Sequence, residues 1–397
     1  MVVLSNNDGC VIARSEESKA LGIKMGDVFY QVKDVLEKNG VAVFSSNYNL
    51  YGDMSRRVMS LLSTYTHKLD IYSIDEAFLD LTGMGNMEYL SSYCKQMVRD
   101  ITKGTGIPIS LGVAPTKTLA KMASKYAKKH KGYEGACFID NEEKREKALK
   151  LFPVEDVWGI GYRHVKKLAY HGIHTAWDLT QRSESWIRKE LTITGVRTWK
   201  ELRGESCVSI DEPPHKKSIC TSRSFSGSGL NKLADVEEAV ANFAAACSRK
   251  LREGHIVCSS VTVFAHTSRF RIDVPQNYIY RTINLVVPTN DMQELVSVAV
   301  KTLREDWKEG GFLYKKAGVI VWNTCEDKAI QGNLFDKVNR EKQAALAKAI
   351  DAINHKNGHN TIRMAVQGYS RNWHLKNEYI SKQYTTNLKD IIVVKAK

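Results

Sequence analysis

The sequence contains a pair of adjacent carboxylates that could bind a metal ion. Asp75 and Glu76 lie where two short apolar runs predict two strands joined by a tight turn. Adjacent acidic side chains are costly to bury without a partner, and a divalent cation would compensate them. Because Mg²⁺ prefers carboxylate oxygens, the pair indicates a metal site for phosphoryl chemistry. A solvated hairpin tip is the simpler alternative.

A row of lysines follows at helical spacing. Lys117, Lys121, Lys125 and Lys129 recur every four residues, which predicts one basic face on a helix from 117 to 129. No acidic residue occurs between positions 101 and 133, so nothing nearby in the sequence neutralises these charges. Lys117 would lie at the helix N-terminus, where free backbone N–H groups favour a phosphate. A solvated basic face is the alternative.

A glycine-rich turn is predicted between two helices. Residues 157–161 read hydrophobic, Trp, Gly159, hydrophobic, Gly161, which is typical of a helix-hairpin-helix element. In such elements the glycines let backbone N–H groups approach DNA phosphates without regard to base sequence. The alternative is a tight turn that serves packing only.

A short peptide near the C-terminus has the pattern of a docking motif. Gln331, Leu334 and Phe335 form Gln-x-x-Leu-Phe, in which two apolar anchors would fill a pocket while Gln bonds at its rim. So short a pattern often occurs by chance. Its place in a polar stretch after a predicted domain favours the functional interpretation.

Length and composition indicate the class of protein to which these residues belong. The chain has 397 residues and a net charge of +14, so we expect several domains and a polyanionic partner, nucleic acid rather than a membrane surface. Its eight cysteines show no zinc-ligand spacing, which predicts reduced, mostly buried thiols. Neither a membrane span nor a signal peptide is predicted.

The elements predict a multidomain α/β (α+β) protein. Strands and helices alternate up to about residue 152, which indicates a sheet covered by helices. Residues 157–205 look all-helical, a linker follows at 213–217, and 218–323 form a second α/β unit. The polar tail has a helix over 338–353, and Trp373 and Tyr379 are predicted to be anchors for a partner.

Ordered motifs over essentially the whole chain resemble those of Y-family translesion DNA polymerases, closest to the UmuC type. They lie at 5–14, 45–51, 72–78, 156–161 and 331–335. The resemblance implies a right-hand polymerase. Its parts would be the fingers (1–47), the palm (48–152), a helix-hairpin-helix thumb (153–212), a little finger (213–325) and an adaptor tail (326–397).

The resemblance also implies roles for residues. Those roles are metal ligands for two Mg²⁺ ions (Asp75, Glu76), nucleotide contacts (Lys19, Tyr51, Lys117), DNA contacts (Gly159, Gly161, Lys121) and sliding-clamp contacts (Gln331, Leu334, Phe335). It implies error-prone translesion synthesis in the SOS response, in the bacterial cytoplasm and at the nucleoid when active. The implied partners are primer–template DNA, deoxynucleoside triphosphates, the sliding clamp, a cleaved UmuD-type dimer and a RecA filament, with no membrane.

One departure from the family pattern concerns the first carboxylate. Family members begin with a strand carrying Asp-x-Asn-x-Phe-Tyr-x-Ser, whereas this sequence starts at the next strand. Asp8 is the one carboxylate before Ser15, and it falls in the fingers turn, so we do not expect it to substitute. The sequence predicts impaired catalysis and reduced stability. The alternatives are a non-enzymatic DNA- and clamp-binding relative and an unrelated palm enzyme such as a nucleotide cyclase.

Overall fold

The chain folds into two compact units that are each discontinuous in sequence. This computed structural model describes residues 1–208, 216–328, 330–358, 360–369 and 373–394. One unit combines Met1–Ser46 with Pro213–Ser381, and the other combines Asn47–Glu212 with Lys382–Lys397. Each has its own hydrophobic clusters. Most of the predicted linker, residues 213–215, lies outside the described residues.

The N-terminal segment forms a small three-stranded sheet. Its elements are β1 (Val2–Leu4), β2 (Val11–Arg14), α1 (Glu16–Ala20), α2 (Phe29–Lys38) and β3 (Val43–Ser45). Strand β1 is central, antiparallel to β2 and parallel to β3. The sequence analysis missed α2, although Phe29, Val32 and Leu36 have helical spacing and pack on or within the local core.

The second unit carries the acidic pair and the lysine row. Its elements are α3 (Tyr48–Leu62), β4 (Leu69–Ile71), β5 (Ala77–Leu79), α4 (Met87–Thr105), β6 (Leu111–Val113), α5 (Lys117–Lys129), β7 (Ala136–Phe138), α6 (Glu142–Leu151), α7 (Tyr162–Tyr170), α8 (Ala176–Thr180) and α9 (Glu184–Leu202). Strands β4 and β5 pair antiparallel, and β6 and β7 pair parallel. One core joins α5 and α6 to α7, α8 and α9, so the predicted palm and thumb share buried side chains.

The rest of the first unit is a four-stranded sheet with two helices packed against its buried side chains. It contains β8 (Ser218–Ser224), α10 (Leu233–Glu253), β9 (Ile256–Thr267), β10 (Tyr278–Thr289), α11 (Met292–Asp306), β11 (Tyr314–Glu326) and α12 (Arg340–Asn357). The strand order is β10-β9-β11-β8, and all neighbours are antiparallel. Apolar residues of α10 and α11 form one core with alternate residues of the strands. This unit confirms the predicted second α/β region.

Two aromatic residues of the C-terminal tail, Trp373 and Tyr379, pack within their own unit. Trp373 is buried in the core of the four-stranded sheet, with its ring 5.6 Å from that of Phe243. The ring of Tyr379 lies 5.6 Å from that of Phe29 at the small N-terminal sheet. The prediction that Trp373 and Tyr379 anchor a separate partner is therefore wrong. Each ring packs against an aromatic residue from a distant part of the same chain.

No helix within the described ranges combines the length and the apolar character that crossing a bilayer requires.

Candidate active site

The acidic pair lies at the tip of the β4–β5 hairpin. The turn is closed by two hydrogen bonds of 3.0 Å, from the N–H groups of Tyr72 and Ser73 to the carbonyl oxygen of Glu76. The hydroxyl of Ser73 donates to Asp75 Oδ1 at 2.7 Å, and Asp75 is exposed. This arrangement confirms the predicted meeting of two strands and orients the Asp75 carboxylate from within the turn.

Lys117 is a nearly buried cation beside this hairpin. Its side chain is 9% exposed, and its Nζ lies 2.7 Å from Oδ2 of Asp70 on β4. The same ammonium lies 4.8 Å from the ring centre of Phe78 on β5, a favourable cation–π geometry. Asp70 and Phe78 are opposite each other in the hairpin register, so both strands fix the position of the Lys117 ammonium.

Other lysines of α5 are also paired with carboxylates. Lys121 Nζ contacts Glu76 Oε1, and Lys125 Nζ contacts Asp156 Oδ1. The absence of acidic residues near these lysines in the sequence therefore does not leave Lys117, Lys121 and Lys125 without carboxylate partners in the structure. The partners come from the hairpin and from the segment after α6, too far along the chain for local sequence to show. A contact between Lys121 and DNA stays a prediction, and it requires the pair with Glu76 to open.

The N-terminus of α5 holds a carboxylate that sequence analysis missed. Glu201, near the end of α9, is fully buried. Its Oε2 accepts hydrogen bonds from the N–H and the hydroxyl of Thr118, at 2.8 and 2.9 Å. Its Oε1 accepts from the N–H groups of Cys207 and Val208, at 3.1 and 3.0 Å. The prediction that free N–H groups beside Lys117 await a phosphate is thus wrong for Thr118, because Glu201 already accepts its hydrogen bond.

An aromatic cluster joins the hairpin to the glycine-rich turn. The Trp158 ring lies 5.4 Å from that of Tyr72 and 5.6 Å from that of Phe78. Gly159 has φ +91°, a conformation that favours glycine, and Gly161 is the N-cap of α7. The turn therefore has the tight backbone conformation that its two glycines predict. Its contact with DNA stays a prediction. Trp158 packs the glycine-rich turn against the hairpin, a contact that the motif alone did not identify.

Two other residues, Tyr51 and Lys19, are predicted nucleotide contacts. Tyr51 lies in the first turn of α3, with its ring 6.2 Å from that of Tyr48. Lys19 belongs to the other unit, where its Nζ lies 2.5 Å from Glu16 Oε1. Among the predicted site residues the structure pairs Glu76 with Lys121, while Lys117 pairs with Asp70 of the same hairpin and Asp75 is exposed at its tip. The roles of Tyr51 and Lys19 stay predictions.

Asp8 forms hydrogen bonds that have a structural role. Asn7 and Asp8 both adopt positive φ, at 61° and 49°, which short polar residues tolerate best. The buried Asp8 carboxylate accepts from the Ser45 hydroxyl at 2.6 Å and from the Glu378 N–H at 2.9 Å. Ser45 and Tyr379 exchange two further hydrogen bonds of 2.9 Å. Asp8 therefore ties the N-terminal sheet to the C-terminal tail.

The clamp-type peptide presents its anchors to solvent. Leu334 is 101% exposed and Phe335 is 86% exposed, and Gln331 is exposed as well. The Asn333 side chain accepts from the Phe335 N–H at 2.8 Å, which gives the peptide a local turn. Both anchors are thus accessible in the free chain, and binding to a clamp stays a prediction.

Two titratable groups of the second unit, Tyr126 and Cys94, stay protonated at neutral pH. Burial raises the pKa of Tyr126 on α5 to about 12, and its hydroxyl donates to the Ala148 carbonyl at 2.9 Å. Burial also raises the pKa of Cys94 to about 11, so its thiol stays protonated and unreactive. All eight cysteines are free, and four of the eight are buried, so the prediction that most of them are buried is not met.

Gly112 allows α5 to lie directly on β6. A Cβ added to Gly112 would lie 2.0 Å from the Ala120 carbonyl oxygen and 2.2 Å from the Ser124 nitrogen, both in the α5 backbone. Gly112→Ala must therefore push α5 away, and we expect it to lower the free energy of unfolding by about 3 kcal/mol. Urea denaturation measures the change. The exposed Gly132→Ala, with open space at its Cβ position, is the control and should differ by less than about 0.5 kcal/mol. Equal stability of the two variants would contradict the prediction.

Comparison with solved structures defines the class of this fold. The chain resembles a Y-family DNA polymerase chimera, Dbh-Dpo4(243-245)-Dbh, with a TM-score of 0.64 and 19% identity over 81% of this chain and 91% of that chain. A Dbh ternary complex gives a TM-score of 0.52 at 20% identity, over 81% of this chain and 91% of that chain. The fold is therefore that of a right-hand polymerase of the Y family, which confirms the predicted α/β class.

Sequence comparison defines the family. The impB/mucB/samB family matches residues 1–125, its C-terminal domain matches 216–334, and a domain of unknown function (DUF4113) matches 344–394. Protein UmuC of Salmonella typhimurium is 41% identical, over 100% of this chain and 94% of that protein. Protein SamB of Salmonella typhimurium is 39% identical, over 100% and 93%. The chain belongs to the impB/mucB/samB family, the UmuC type of Y-family DNA polymerase.

Proposed function

We propose that this chain performs error-prone translesion DNA synthesis in the SOS response, by transferring deoxynucleoside monophosphates from their triphosphates to a primer 3′-OH with release of pyrophosphate. The observation that carries the proposal is the acidic hairpin, which bears Asp75 and Glu76 and pairs through Asp70 and Glu76 with Lys117 and Lys121 of α5. Oxygen ligands for a cation and ammonium groups for phosphates are the two requirements of nucleotidyl transfer. Membership of a polymerase family supports the same reaction.

The lysines are suited to binding the triphosphate and to controlling access to Glu76. Lys117 is held rigidly by Asp70 and Phe78, so it offers a fixed positive charge. Lys121 is paired with Glu76, and that pair is partly exposed. An incoming triphosphate competes for the Lys121 ammonium because it carries more negative charge than one carboxylate. We propose that this exchange releases Glu76 for a cation only when nucleotide is present.

The two carboxylates fit Mg²⁺ with substrate completing the coordination. Within the described residues, no group of three or more His, Cys, Asp or Glu side chains is arranged to hold a metal ion. Mg²⁺ is commonly held by one or two carboxylates together with substrate phosphates and water, so Asp75 and Glu76 suffice as protein ligands of that kind. The family resemblance implies two ions. When bound, they would lower the pKa of the primer hydroxyl and offset charge on the triphosphate.

The remaining assignments follow from family membership. We propose that the turn at Gly159 and Gly161 holds the duplex backbone and that the peptide at 331–335 binds the sliding clamp. The exposed, stacked rings of Tyr278 and Tyr280 on β10, 5.9 Å apart, give the little-finger sheet a surface suited to DNA. The fingers, palm, thumb, little finger and tail keep the boundaries given above. A cleaved UmuD-type dimer and a RecA filament are proposed partners, at the nucleoid in the cytoplasm.

Primer extension by the purified 397-residue chain tests the proposal. We expect extension past a template lesion with Mg²⁺ and none with EDTA. A second candidate, a DNA- and clamp-binding relative without synthesis, is favoured by the small number of carboxylates and by the Glu76–Lys121 pair. Tight primer–template binding without extension supports that candidate. Binding to neither DNA nor nucleotide contradicts both.

A further inference from the structure

The buried carboxylate of Glu201 has more hydrogen-bond donors than a core contact needs. Its two oxygens accept four hydrogen bonds, from the N–H and hydroxyl of Thr118 and from the N–H groups of Cys207 and Val208. We infer that Glu201 is the positioning residue that sets Lys117 for the nucleotide phosphates. This inference rests on the proposed polymerase function.

Glu201 holds the residues on both sides of Lys117. The Thr116 hydroxyl donates to the Glu201 carbonyl oxygen at 2.8 Å, and Thr118 donates to the side chain. Lys117 is the first residue of α5, between these two contacts. Its backbone therefore cannot move without breaking a hydrogen bond to a residue that is 0% exposed.

The electrostatics of the helix N-terminus explain why this position takes a carboxylate. The first turn of α5 contains no acidic residue of its own, and its N-cap, the Thr116 hydroxyl that accepts from the Leu119 N–H, carries no charge to offset the positive end of the helix dipole. Glu201 supplies that negative charge from the end of α9. Because the Thr118 N–H already donates to Glu201, it is not available to a phosphate, and the Lys117 ammonium is instead held at the hairpin by Asp70.

The same carboxylate links the lysine to the end of the helical thumb. Cys207 and Val208 follow α9, and their N–H groups donate to the oxygen that Thr118 does not use. A change at the end of the thumb is thereby transmitted to the first turn of α5 through one side chain. Since displacements of about 1 Å at a reacting group cost up to about 100-fold in rate, such a link controls function as well as stability.

Two mild substitutions test the inference. Glu201→Gln keeps the shape but turns one acceptor oxygen into a donor, and Thr118→Val removes one hydroxyl donor. Leu168→Ala on α7, at a fully buried position in the same core, is the control for lost stability. The dissociation constant for a matched dNTP is measured by equilibrium titration of each protein bound to a dideoxy-terminated primer–template with Mg²⁺. The primer–template dissociation constant and the melting temperature are measured alongside.

We expect Glu201→Gln to weaken dNTP binding about tenfold and Thr118→Val about threefold, with primer–template binding within about twofold of the parent protein. Leu168→Ala should lower the melting temperature yet leave dNTP affinity of the folded fraction unchanged. Unchanged dNTP affinity in folded Glu201→Gln overturns the inference, and so does an equal loss in Leu168→Ala. Absence of dNTP binding by the parent protein overturns the proposed function itself, which is a different result.

Discussion

Replacing Asp75 by Asn, or Glu76 by Gln, is expected to lower kcat for primer extension at least about 100-fold, which is about 2.7 kcal/mol of transition-state stabilisation. Both substitutions keep side-chain size and remove the charge that a cation requires. Asp75 is exposed and the Glu76 side chain is partly exposed, so neither change leaves a deeply buried charge without a partner. We therefore expect the melting temperature to change little.

Single-turnover extension on a primer–template measures this effect, with binding followed separately by fluorescence anisotropy. Primer–template affinity should stay within about threefold, because phosphate contacts elsewhere supply most of it. Glu88→Gln, an exposed carboxylate in the first turn of α4, is the matched control and should extend primers as the parent protein does. Normal extension by the Asp75 or Glu76 variant would show that the hairpin is not the catalytic centre.

The double substitution Leu334→Ala with Phe335→Ala is expected to weaken binding to the sliding clamp at least about 100-fold. Apolar anchors of a docking peptide commonly contribute about 2 kcal/mol or more each when they fill a pocket. In the free chain both side chains are almost fully exposed, at 101% and 86%, so the protein itself should lose no stability. The expected loss is thus confined to the complex.

Surface plasmon resonance with the immobilised clamp measures the affinity, and primer extension without clamp measures the intrinsic activity. Leu388→Ala provides a matched control, because Leu388 is 86% exposed and lies in the tail outside the peptide. It should bind the clamp as the parent protein does. If the Leu388 variant loses as much affinity as the double variant, or if the double variant binds normally, the peptide is not the docking element.

The carboxylate partners of α5 alter how the positive charge of the chain should be understood. The net charge of +14 suits a polyanion, but Lys117, Lys121 and Lys125 each contact a carboxylate. These three lysines are therefore fixed in position by ion pairs and do not form a basic surface without partners. Long-range attraction of DNA is a property of the whole chain, whereas the hairpin lysines act at short range on whatever displaces their partners.

Local sequence patterns were sufficient to predict secondary structure wherever neighbouring residues determine it. The helix at Lys117–Lys129 has the predicted bounds, since its Thr116 N-cap and its repeated apolar face are both visible in the sequence. The β4–β5 hairpin was predicted for the same reason, because two short apolar runs flank a polar turn. By contrast, Trp373 and Tyr379 were misassigned, since burial of an aromatic ring depends on which distant surface meets it.

The sequence by itself determined the family of this protein, the type of its main elements and the residue types of its candidate site, because motifs and periodicity are local properties. Only the tertiary structure decided which charges meet. It paired Lys117 with Asp70, Lys121 with Glu76, and the start of α5 with Glu201, across separations of 47, 45 and 83 residues. Hydrogen bonds and ion pairs act over a few ångströms in space, and no local pattern records that proximity.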